Sequence, residues 1–130
     1  GASAYYPDGS LKWTFPNGGS GSPAIGRDGS IFIGNFPGSA PTSTFYAINP
    51  NGSQKWSYPT TAYDGFSNPA IGPDGTVYVG CSDGNLYAIY DDNGGLATGQ
   101  WPMMYHDPRH TGMQPYRTTI SPCVSLLLAN

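Results

Sequence analysis

A self-repeat constrains this chain more than any other feature. PDGSLKWTFP (7–16) returns as PNGSQKWSYP (50–59), 43 residues on. SPAIGRDGSIFIG (22–34) returns as NPAIGPDGTVYVG (68–80), 46 residues on. TFYAINP (44–50) returns as NLYAIYD (85–91), 41 residues on, and the three Trp stand at 13, 56 and 101. A unit of this length that recurs along 130 residues must be one supersecondary structure, stacked on copies of itself.

Each unit reads as strands. IFIG and VYVG run β-branched and aromatic residues together behind an Asp-Gly pair, the pattern of a buried strand after a tight reversal. Asp8-Gly9, Asp28-Gly29, Asn51-Gly52, Asp74-Gly75 and Asp83-Gly84 mark the turns, where Gly supplies positive φ and Asx tolerates its neighbourhood. A unit is then strand PAIG, turn, strand TVYVG, turn, strand NLYAI, turn, strand QKWSY. Four antiparallel strands in 40 to 50 residues is the signature of a propeller blade. The expected fold is all-β, with propeller-type four-stranded antiparallel blades, about two and a half to three repeats, incomplete as a single closed ring. The units are a partial one (2–21), a full one (22–66) and a third (68–101) whose last strand is irregular. A closing segment (101–112) and an apolar C-terminal tail (113–130), read as a strand, follow.

Composition agrees. The chain holds 19 Gly, 13 Pro and 18 aromatic residues, only two Lys and no Glu. Such a chain is poor in helix formers and suits strand and turn. Net charge is −3. The five basic residues, Lys12, Arg27, Lys55, Arg109 and Arg117, form no stripe, so no nucleic-acid partner is expected. No apolar run is long enough to span a membrane. Six Asp (8, 28, 74, 83, 91 and 92) lie in or beside turns and read as solvated turn carboxylates. RDGS and PDGT supply one carboxylate each, too few for calcium. The chain begins GASAYY without Met, which fits a mature protein after signal removal or a cloned fragment.

Two cysteines, Cys81 and Cys123, in a Tyr-rich, Lys-poor chain fit one disulfide in a secreted protein; two free thiols are the alternative. Asn51-Gly52-Ser53 is an N-glycosylation sequon, and equally a tight turn that resembles one. Tyr5, Tyr6, Tyr63, Phe66 and Tyr116 fall outside clear strand cores, where they either pack between units or meet glycans or a partner protein. NFPGSAPTST (35–44) replaces a short turn with an exposed contact loop or O-glycan carrier.

At these residues the chain resembles the quinoprotein-like (pyrroloquinoline-quinone-like) propeller repeat. Blades of that family carry an Ala-x-Asp…Gly…Trp pattern. Here Ala47, Asn49, Gly52 and Trp56 match it, with Asn49 in place of the acid, and Gly9 and Trp13 match its second half. The resemblance covers residues 2 to 112. It implies that Trp13, Trp56 and Trp101 dock between neighbouring blades. Quinone-dependent members bind cofactor with residues from many blades plus a calcium-ligating Glu, which this chain lacks. The cofactor-less bacterial branch, which uses the propeller as a binding scaffold, is the closer comparison, and no cofactor is expected.

WPMMYHDPRHTG (101–112) concentrates the chemistry. His106 and His110 stand four apart, a zinc spacing on a helix, but Pro108 breaks the helix and a closed ligand set is missing. Asp107 beside His106 has no nucleophile pattern to serve. No catalytic or metal residue is assigned. The resemblance implies instead a clasp at a propeller boundary, with Trp101 docked and Met103 and Met104 filling apolar gaps. The tail CVSLLLA (123–129) is a poor free surface: as a strand it either closes the blade that the N-terminal segment begins or inserts into a neighbouring subunit, and a C-terminal helix is the remaining alternative.

A closed propeller needs about four to eight blades. Either the sequence is part of a longer chain, or several copies complete a ring, or copies stack head to tail. The expected function is non-enzymatic: an extracellular, periplasmic or cell-surface structural protein. It forms a homo-oligomer or fibre through exposed sheet edges and its tail. A carbohydrate- or protein-binding propeller is the alternative, and part of a quinone-dependent dehydrogenase the third.

Overall fold

The computed structural model describes residues 1–19, 21–36, 42–62, 65–98 and 102–104. Among them the chain is all-β, with no helix. The strands are β1 (Ala2–Tyr5), β2 (Leu11–Phe15), β3 (Ala24–Ile25), β4 (Ile31–Gly34) and β5 (Thr44–Ile48), then β6 (Gln54–Pro59), β7 (Ala70–Ile71), β8 (Thr76–Gly80) and β9 (Leu86–Tyr90). They form three antiparallel sheets of consecutive strands: β1-β2, β3-β4-β5-β6 and β7-β8-β9.

The five Asx-Gly pairs named above make the reversals. Each Gly has φ between +85 and +90°, and its N–H donates to the carbonyl three residues back, as from Gly52 N to Asn49 O. In each turn the Asx side chain accepts from the backbone N–H two residues on: Ser10, Ser30, Ser53, Thr76 and Asn85. These bonds satisfy donors that a turn leaves without a cross-strand partner.

The registers assign the faces, because paired residues share a face and neighbours alternate. On the second sheet, Ala24, Phe32 and Ala47 share one face with Phe45 and Trp56, here called forward. Ile31 and Ile48, Ile33 and Tyr46 share the other, here called backward. The forward face of the first sheet (Ala2, Trp13, Phe15) packs on Ile31, Ile33, Tyr46 and Ile48. The forward face of the second packs on Ile71, Val77, Val79, Tyr87 and Ile89 of the third. The core is thus two slabs between three sheets, each joining a forward face to a backward one. Phe32, Phe45 and Ile48 are wholly buried in them.

The third unit departs from the four-strand plan. Among the described residues no strand pairs with β9 on the side away from β8. The chain instead leaves β9 and runs along the outer edge of β3. Arg27 N donates to Gly95 O, Ala97 N to Ile25 O, Asp28 N to Asn93 O and Ile25 N to Pro102 O. Asn93, fully buried, fixes this departure: its Nδ2 donates to Gly75 O and its Oδ1 accepts from Gly95 N. Gly94 and Gly95 both have positive φ, which bends the chain inward rather than back along β9. The tail 113–130 lies outside the described residues.

Candidate functional site

The candidate site is the set of contacts that joins one sheet to the next, with the surfaces where that series stops. It begins with a one-residue irregularity in the last strand of each of the first two units. The β1–β2 register shifts between Ala4 and Tyr5, opposite Lys12, and the β5–β6 register shifts between Ala47 and Ile48, opposite Lys55. A bulge of this kind twists the strand and re-aims its side chains. The Lys at each bulge is followed by the unit's Trp.

Trp13, half-buried, donates its indole N–H to Pro50 O at 3.0 Å, in the β5–β6 turn of the second sheet. Its ring lies over Gly52, where an added Cβ would come within 2.6 Å of Trp13 Cγ. Trp56 donates its indole N–H to Asp91 Oδ2 at 2.6 Å, just after β9. Pro50 and Asp91 are equivalent positions of the repeat. One contact therefore occurs twice: the Trp N–H of a unit reaches the same turn position of the next. Around Trp56, aromatic rings pack at a tilt, at 5.9 Å to Phe32 and 6.0 Å to Phe45. Phe66 and Tyr87 extend this array, 6.3 Å apart.

Lys55 adds charge to the second contact. Its Nζ donates to Asp91 Oδ1 at 2.8 Å, to Asp28 Oδ2 at 3.2 Å and to Ser30 Oγ at 3.1 Å. The Asp91 side chain is only 3% exposed. Burying it is tolerable because both oxygens are paired, one with an ammonium and one with an indole N–H. Burial opposes ionisation of Asp28, but hydrogen bonds from Ser30 and Lys55, with the Lys55 charge, outweigh it and hold the carboxyl below its ordinary value. Burial likewise disfavours the Lys55 cation, but Asp91 and Asp28 outweigh it and raise the ammonium above its ordinary value. The reading of Asp91 as a solvated turn carboxylate is corrected: an Asp at a turn of the next unit is within reach of the preceding unit's Lys and Trp.

The remaining candidates fall as follows. Cys81 is half-buried and has no disulfide partner among the described residues; Thr60 Oγ1 lies 3.6 Å from its sulfur. Cys123 lies outside those residues. So do Trp101, His106, Asp107 and His110; of the closing segment only 102–104 are described. Met103 is buried in the slab between the second and third sheets, and Met104 Sδ accepts from Asn68 Nδ2. Asn51 is exposed, and its Oδ1 accepts from Ser53 N and Ser53 Oγ. Tyr5 and Tyr6 are exposed, Phe66 packs against the core, and Tyr63 and Tyr116 lie outside the described residues. Among the described residues no helix is long and apolar enough to cross a membrane. The Lys55–Asp91 pairing was missed in the sequence; its signal was a Lys-Trp pair repeated at 12–13 and 55–56, with an acid only at the second unit's target.

Among the described residues, β9 has no neighbour beyond it, and β1 has none on the side where β4 flanks its equivalent β5. No protein-family model matches the chain, and no curated protein matches it in sequence.

Proposed function

We propose that this chain is a non-enzymatic structural protein whose copies assemble into a fibre or ring. Its sheets are read as propeller-type blades of the quinoprotein-like repeat, in the branch without cofactor. The location is outside the cell, in the periplasm or at the cell surface. Assembly proceeds through the sheet edges and the C-terminal tail. The observation that carries this reading is that no described strand fills the positions beside β9 and beside β1. Each presents a row of backbone donors and acceptors, the usual template for strand addition from another chain. The repeated Trp contact supports reading the units as blades, since each unit has a built-in grip on the next.

Size-exclusion chromatography with light scattering tests this, with electron microscopy of the same fractions. The expected result is a mass above that of one chain that grows with concentration, and rings or fibres in the micrographs. A monodisperse single chain at all concentrations would overturn it. Deletion of 118–130 tests the tail: assembly unchanged by the deletion removes the tail from the mechanism.

A further inference from the structure

Among the described residues, six of the eight exposed large apolar side chains lie on the two terminal sheets or their turns: Tyr5, Tyr6 and Leu11, then Tyr78, Leu86 and Tyr90. The registers place them on particular faces. Tyr78 pairs with Ala88, Leu86 with Gly80 and Tyr90 with Thr76, all on the forward face of the third sheet. Tyr5 pairs with Leu11, on the backward face of the first sheet beside Ser3 and Thr14.

The repeat shows what such positions do when filled. Leu86 and Tyr78 are the equivalents of Phe45 and Phe32, which are 0% exposed, yet Leu86 is 74% exposed. Tyr5 is the equivalent of Ile48, also 0% exposed, yet Tyr5 is 63% exposed. Both internal slabs join a forward face to a backward face. The two faces that no described residue covers are one of each kind. The polar pair on the first sheet is no obstacle to burial, because Ser3 Oγ and Thr14 Oγ1 already bond each other at 3.3 Å.

We propose that the forward face of the third sheet docks on the backward face of the first sheet of a second copy, head to tail, continuing the internal series across chains. The occupant is a second copy rather than an unrelated protein because the chain itself carries both halves of the contact. The contact is heterologous, so every added copy leaves one face of each kind, and the array closes as a ring or runs on as a filament. The inference rests on the self-assembly reading and adds faces to its edges.

Two variants of the full chain test it. One blocks the forward face (Leu86→Lys with Tyr90→Lys), the other the backward face (Tyr5→Lys with Leu11→Lys). All four positions are more than half exposed, and near-ultraviolet circular dichroism checks that each variant keeps its packing. Leu86→Ser and Leu11→Ser serve as milder replacements. By sedimentation, each variant alone is expected at the mass of one chain. Their mixture is expected to give a one-to-one pair that grows no further, since only one complementary pair of faces remains. A backward-blocked variant that forms a homodimer would overturn the proposal in favour of forward-to-forward pairing. Two variants that each assemble like the original chain would overturn it in favour of edges alone. In both cases the self-assembly reading survives. An unaltered chain that stays single defeats that reading and this one together.

Discussion

Gly9 and Gly52 occupy the same place in the repeat, with φ of +85° and +88°. What surrounds them differs. A methyl group added at Gly9 meets nothing within 4 Å. At Gly52 it would lie 2.6 Å from Trp13 Cγ, 2.8 Å from Cδ2 and 2.9 Å from Cβ. Gly9→Ala therefore carries a backbone cost of about 1–2 kcal/mol for left-handed φ, partly offset by the reduced freedom of the unfolded chain, for a net loss of about 1 kcal/mol. Gly52→Ala carries that and must also displace the indole, an overpacking cost of about 1–3 kcal/mol. If Trp13 N–H then leaves Pro50 O, about another 1 kcal/mol is lost. The expected gap between the two variants is about 2–3 kcal/mol. Urea unfolding followed by tryptophan fluorescence measures it, and Gly52→Ala should also shift the folded-state emission. A gap below about 0.5 kcal/mol, with unchanged emission, would refute the docking of Trp13 on the β5–β6 turn.

Three further outcomes are expected. Asp91→Ala leaves the Trp56 N–H without its acceptor and Lys55 with Asp28 and Ser30 alone; it should cost about 2–3 kcal/mol by urea titration, and a double-mutant cycle with Lys55→Met should show coupling. Asn93→Ala removes the buried amide that bridges Gly75 O and Gly95 N, and a loss of about 2–3 kcal/mol is expected, with faster amide exchange at Arg27 and Ala97. For pH, Asp28 titrates in the folded state below its ordinary value of 3.8, so its contribution is fully present above that pH and is lost as pH falls through the folded value. Urea midpoints taken from pH 6 to pH 2 should fall less steeply in Asp28→Asn than in the original chain; parallel curves would contradict the sign.

Strands and turns were legible in the sequence because both signals are local. The five Asx-Gly pairs that stand between strand runs each make a reversal, and IFIG is the buried strand expected behind one; VYVG is a strand too but only half-buried, because Tyr78 faces out on the terminal sheet. The stacking of units was legible from the repeat. That no described strand follows β9 in the third sheet was harder to see. Trp13 follows Tyr5 by eight residues and Trp56 follows Ile48 by eight, but Trp101 follows Ile89 by twelve. That extra length, with Asn93-Gly94-Gly95 inside it, lets the chain leave for β3, yet the destination is set by two buried hydrogen bonds of one Asn, which no periodicity reports. Asp91 escaped for the same reason. Its burial depends on a Lys and a Trp from another unit, so its own neighbourhood in sequence looks like any solvated turn.

The run of residues 93–97 along β3 also bears on the order of events as the molecule folds. Within each sheet the pairings join neighbouring strands, so the closures are short and inexpensive in entropy. The bonds Arg27–Gly95, Asp28–Asn93 and Ala97–Ile25 instead join positions more than sixty residues apart. They can form only once the second and third sheets both exist and have met face to face. This run is then the last piece to settle and the first to open. It acts as a latch that reports completion of the two larger sheets, and its amides should be the last in them to gain protection during refolding.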